Sequence, residues 1–199
     1  MSAVFIDYTA VMLVGISAGF VILAHYLYRN PPPEDRQQWA AGFFAAGLLG
    51  LVTSIPMLIM WPLPGGFNVA FGEPALFLSI AFLAAGLTLA LRWEPLIPAL
   101  YGFFGGIIAL VVGARILDLG LTKSPIVAGI GYIAAGVGGL FTLPAINYRH
   151  IRWLALTAAV ALGIAAIAFL VTGYGAFWSH ISDFAHWLPP TMAHAHPAK

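Results

Sequence analysis

The chain has 199 residues, 61% of them hydrophobic and 8% charged, with a formal net charge of +1. A soluble domain carries roughly 25% charged residues and a nucleic-acid binder needs a dense basic face, so both are excluded, as is a disordered chain. A mean hydropathy of +0.95 leaves an integral membrane protein; cysteine is absent, which removes disulfides, thiolate metal sites and cysteine nucleophiles.

A helix needs about 20 apolar residues to cross ~30 Å of hydrocarbon, and six stretches meet that length. The first, 8–28, has no Lys, Arg, Asp or Glu and runs into the proline-stiffened polar loop of Arg29 to Arg36. The second, 39–60, contains Pro56 after Thr53 and Ser54, where a kink is expected. The third, 74–91, stops at Arg92-Trp93-Glu94-Pro95; the fourth, 96–119, at the turn from Gly120 to Ser124. The fifth is 125–146 and the sixth 153–173. Residues 1–175 therefore read as one all-α, six-transmembrane helix bundle. Trp39, Trp61, Trp93 and Trp153 fall at span ends, the headgroup depth that indole rings prefer.

Past the sixth span, residues 176–199 read as a short amphipathic interfacial helix and a His-bearing tail. His180, Asp183 and His186 recur every three residues opposite Trp178, Ile181, Phe184, Trp187 and Leu188, and Pro189-Pro190 ends the pattern. With His194 and His196 they form a candidate metal set, set against a plain wet face. His25 and His150 share a membrane side, but neither lies well inside a span, so haem ligation is not expected. Arg29, Arg36, Arg92, Arg149 and Arg152 fall on one side, Lys123 and Lys199 on the other. That places both termini outside the cytoplasm of a prokaryotic inner membrane, and Asp7 with no basic start argues against a cleaved signal peptide.

Two further patterns stand out. An aromatic-x-Ala-Ala-Gly motif begins at Phe43, Phe82 and Tyr132, read either as helix-contact surface or as traces of a duplication. Ionisable groups within membrane spans are costly and worth following. Arg115 and Asp118 are three apart on the fourth helix, and Glu73 opens the antiparallel third helix at similar depth. A polar cluster of Glu73, Arg115 and Asp118 with Asn68 and Lys123 nearby is expected, serving either as a helix pin or as a substrate or ion vestibule.

The runs Asn68-Val69-Ala70-Phe71-Gly72-Glu73-Pro74, Gly113-Ala114-Arg115 and Gly120-Leu121-Thr122-Lys123-Ser124-Pro125 resemble an uncharacterised family of small archaeal and bacterial membrane proteins, catalogued as a domain of unknown function, over about residues 65 to 140. The resemblance implies a polytopic fold with no established activity, makes Asn68, Gly72, Glu73, Arg115 and Lys123 family features, and leaves the tail outside. Size and span number are also similar to those of urea and short-amide channels, without their pore motifs. Three functions follow as expectations: a non-enzymatic accessory subunit of a larger membrane complex, respiratory or redox-linked, exposing Phe43, Phe44, Phe103 and Phe104; a channel or transporter for small polar solutes or ions; or a metal-binding protein acting through its tail. The expected partners are bilayer lipid, other membrane subunits or a second copy, with no nucleic acid. Bound lipid leads the cofactor expectations, and metal remains open.

Overall fold

Away from water a backbone must satisfy its own polar groups, and long apolar runs do this as helices. The computed structural model describes residues 8–185, which form six long helices: α1 (Tyr8–Arg29), α2 (Ala40–Met60), α3 (Glu73–Ala90), α4 (Leu96–Leu119), α5 (Pro125–Asn147) and α6 (Arg152–Asp183). All six are long and apolar enough to cross a membrane. A 3₁₀ helix, Pro33–Trp39, leads into α2, and one π-helical turn, Asn68–Gly72, leads into α3. α2 continues through Pro56. α4 ends at Gly120, whose φ of 62° is the left-handed stop that glycine takes without strain.

One boundary differs from expectation. The sixth helix does not stop near 173 to restart along the interface; it runs unbroken for 32 residues to Asp183. Gly173 and Gly175 cost helix propensity but do not break it, and no proline intervenes before residue 189. Gly173 is the last buried residue, so α6 projects past the bundle with Trp178 and Ile181 exposed.

Each helix packs on its neighbours in the chain, and α6 closes back onto α1, which makes a ring. Glycines set the closest approaches. A Cβ on Gly106 of α4 would lie 2.7 Å from the Gly136 carbonyl of α5, and one on Gly113 3.1 Å from the Gly129 carbonyl. Small residues of this kind let helix backbones touch where no hydrophobic effect drives association. α3 and α4, although joined by a short turn, pack least closely of the long-helix neighbours.

Candidate functional site

Inside the ring lies an elongated cavity of about 90 Å³. Every helix contributes to its wall: Met12, Ile16, Phe20 and Tyr26 from α1, Phe43 from α2, Ala75 to Leu89 from α3, Pro98 to Ala109 from α4, Tyr132 to Ile146 from α5, and Leu162 and Phe169 from α6. The lining is almost wholly apolar. Its hydroxyls are those of Tyr26, Tyr132 and Thr142. Thr142 donates to the Gly138 carbonyl at 2.7 Å, a helical residue bonding its own turn, and Tyr132 donates to the Ala70 carbonyl at 2.8 Å.

A continuous file of aromatic rings runs along this wall. Tyr26 meets Phe43 (5.9 Å), Phe43 meets Phe82 (5.9 Å), Phe82 meets Phe20 (6.4 Å), and Phe20 meets Phe169 (6.0 Å). Phe169 then meets Tyr132 (5.1 Å), and Tyr132 meets Phe71 (6.0 Å). These spacings are those of favourable edge and tilted pairs. Phe43, Phe82 and Tyr132, the aromatic heads of the repeated motif, are all buried. Phe43 therefore points inward rather than outward as expected, while Phe44 and Phe104 are exposed.

The two ends of the cavity are closed differently. At the arginine-rich end, Glu94 after α3 pairs through Oε1 with Arg36 and through Oε2, at 3.7 Å, with Arg149. Arg149 also donates to Asn30 Oδ1 (3.0 Å) and to the Tyr26 hydroxyl (3.2 Å). Arg36 adds a bond to the Pro31 carbonyl at 3.2 Å, and Arg92 reaches Gln37 Oε1 at 3.1 Å. One carboxylate thus ties the α1–α2, α3–α4 and α5–α6 connections together over Tyr26. At the other end Asn68, fully buried, accepts from the Leu63 amide and donates to the Leu63 carbonyl. That clamp fixes the loop carrying the π turn against Tyr132.

The polar cluster expected from the sequence is only partly assembled. Arg115 pairs with Asp118 on an exposed face of α4. Glu73 is exposed and belongs to none of the ion pairs among the described residues, Lys123 is exposed, and Asn68 is turned into its own loop. The Arg115–Asp118 pair is therefore a surface contact. The network that does assemble, around Glu94, sits at the opposite end, where the sequence reading saw loop charges. The signal available for it was Glu94, the acid between Arg92 and the fourth span on a side that carries five arginines.

His25 packs edge-on against Trp39 (5.0 Å) and His150 against Tyr148 (6.5 Å), each in its own aromatic contact. His180 lies against Phe184 on the projecting end of α6. Among the described residues no group of three or more His, Asp or Glu is placed to hold a metal. His186, His194 and His196, like Asp7, lie outside the described residues.

A ring of six apolar helices with an internal apolar cavity and a charged cap is a polytopic helix bundle. The chain belongs to the family described as a protein of unknown function (DUF981), whose model matches residues 1–183. The match is wider than the resemblance read from 65 to 140 and takes in His180 and Asp183. No curated protein and no solved structure matches the chain.

Proposed function

We propose that this protein is a multi-pass membrane protein that holds an apolar molecule between its helices, as a non-catalytic accessory component of a membrane assembly. The observation that carries the reading is the cavity. A site lined this uniformly by apolar side chains and glycine recognises shape and hydrophobicity. The lining also weighs against passage of urea, ions or other polar solutes. Such a solute would shed its hydration among hydroxyls that are already bonded, at a cost of several kcal/mol for each unsatisfied polar group.

The assembly role is supported by the exposed apolar flanks, among them Ile59, Ile97, Val160 and Val171, which suit lipid or a neighbouring subunit. The arginine-rich end faces the cytoplasm of a prokaryotic inner membrane in this reading.

Purification of the full chain in mild detergent, followed by extraction and mass spectrometry, tests it. The expected result is an apolar molecule retained in near-stoichiometric amount together with co-eluting membrane subunits. An empty, solitary, monodisperse protein would refute it.

A further inference from the structure

Resting on that reading, we propose that the occupant is a single hydrocarbon chain of a bilayer lipid, and that it enters sideways through the seam between α3 and α4. The dimensions point to a chain. The α1 wall runs from Met12 to Tyr26, so at about 1.5 Å per residue the cavity is roughly 21 Å long, a large part of the ~30 Å hydrocarbon layer. A site that long, walled by apolar side chains from all six helices, matches the length and chemistry of a linear alkyl chain lying along the bundle.

The route follows from what is shut. The arginine-rich end is covered by Tyr26 under the Arg149–Glu94–Arg36 network. The other end is covered by Phe67 and Phe71, stacked on the loop that Asn68 clamps, with Tyr132 of α5 edge-on to Phe71. Both aqueous approaches thus meet bonded polar groups or packed aromatics.

The lateral wall is different at one place. The cavity is lined along the length of both α3, from Pro74 to Leu89, and α4, from Pro98 to Ala109, yet these two helices pack least closely of the long-helix neighbours. Across the seam Phe77 meets Tyr101 (ring centroids 5.7 Å) and stands 3.3 Å from where a Gly105 Cβ would be. Nothing lies within 4 Å of a Cβ built on Gly102, one turn nearer the α4 start. On the two helices that form the seam, Ile80, Leu87 and Phe104 are apolar and exposed, and Thr88 is bonded to the Ala84 carbonyl of its own helix. A chain sliding between Phe77 and Tyr101 exchanges lipid contacts for protein contacts without desolvating any polar group.

The test uses the full chain, whose lack of cysteine allows clean labelling. Protein is equilibrated with vesicles of chain-deuterated phosphatidylglycerol, and exchange of retained lipid is followed by native mass spectrometry. Phe77→Ala is expected to speed exchange about tenfold, the size of one lost aromatic contact. In Phe77→Cys/Tyr101→Cys, a bis-methanethiosulfonate cross-linker, which forms a disulfide to each cysteine with release of methanesulfinate, is expected to stop exchange until reductant is added. Arg115→Ala, at an exposed pair outside the cavity lining, is expected to leave it unchanged. Lipid that is retained but exchanges freely across the cross-linked seam overturns the sideways route and leaves the apolar-site reading standing. Retention of a fused-ring molecule in place of a linear chain overturns the occupant. Absence of retained lipid from wild type and variants alike overturns both proposals.

Discussion

Removing the charge of Glu94 is the sharpest probe of the fold. Glu94→Gln keeps the side-chain shape and withdraws the anion that Arg36 and Arg149 share. The two partners sit in different surroundings. The Arg36 side chain is 9% exposed, whereas that of Glu94 is 63% exposed. Breaking a fully buried pair costs 3–5 kcal/mol because it strands a charge. An exposed pair is worth roughly 0–1 kcal/mol. With one partner in each regime, and the Pro31 carbonyl still bonded to Arg36, the expected loss is about 1–2 kcal/mol. For a chain of this size that lowers Tm by roughly 2–8 °C, readable as the fraction of monodisperse protein surviving a heat step in detergent. Glu34→Gln, at an exposed acid one loop away, is the control and is expected to shift Tm by less than about 1 °C. Combining Glu94→Gln with Arg36→Met is expected to cost less than the sum of the two single changes, since the double variant strands no buried charge. Equal Tm for Glu94→Gln and wild type, or strict additivity in that cycle, would refute the argument that Arg36 depends on this carboxylate.

Three further outcomes follow from the same coordinates. Gly106→Ala sets a Cβ 2.7 Å from the Gly136 carbonyl and is expected to destabilise by about 1–3 kcal/mol. Gly163→Ala, with nothing within 4 Å, is expected to be neutral or stabilising by up to about 1 kcal/mol; the two melts are compared side by side. Tyr132→Phe removes one buried hydrogen bond to Ala70 for about 1 kcal/mol. Asn68→Ala removes both bonds to Leu63 and is expected to cost about 2–3 kcal/mol, and the reverse order in thermal melts would contradict the clamp. Arg115→Ala breaks only a pair whose side chains are 59% and 61% exposed, so its melt is expected to stay within about 0.5 kcal/mol of wild type.

The spans were legible because hydropathy and helix length are chain-local quantities. The expected fourth span, 96–119, matches α4 residue for residue, and the others agree within a residue or two at most ends. The end of α6 was not legible, since the His180-Asp183-His186 spacing reads as a separate interfacial helix when the backbone had no reason to stop before it. Placement of charges was harder. Arg115 and Asp118 meet because they share a helix turn, a local relation. Glu73 was assigned to them by depth alone, and depth says nothing about which way around a helix a side chain points. The Glu94 network joins residues 58 and 55 positions apart, a relation set by how the ring closes. The aromatic-x-Ala-Ala-Gly motif was the missed signal for the cavity. Phe43, Phe82 and Tyr132 line it, while Gly47, Gly86 and Gly136 of the same motifs are the close-approach points between helices, each with a neighbouring atom within 3.0 Å of its built Cβ.

That pairing of large and small residues bears on why a cavity persists at all. In water, apolar walls close up because exposed surface is penalised; in hydrocarbon that penalty vanishes and helices associate through dispersion and close backbone contact. Close contact at the α4–α5 glycines fixes one wall, and the edge-on and tilted ring contacts from Tyr26 to Phe71 tie the other helices to it. The helices cannot collapse inward without losing these contacts. The space between them lacks dispersion partners on its inner side, a deficit that a flexible chain drawn from the surrounding bilayer would remove with no polar group to desolvate. The same physics that keeps the helices apart therefore favours a hydrocarbon occupant over a hydrated one, and it bears most on the seam where the helices pack least closely, between α3 and α4.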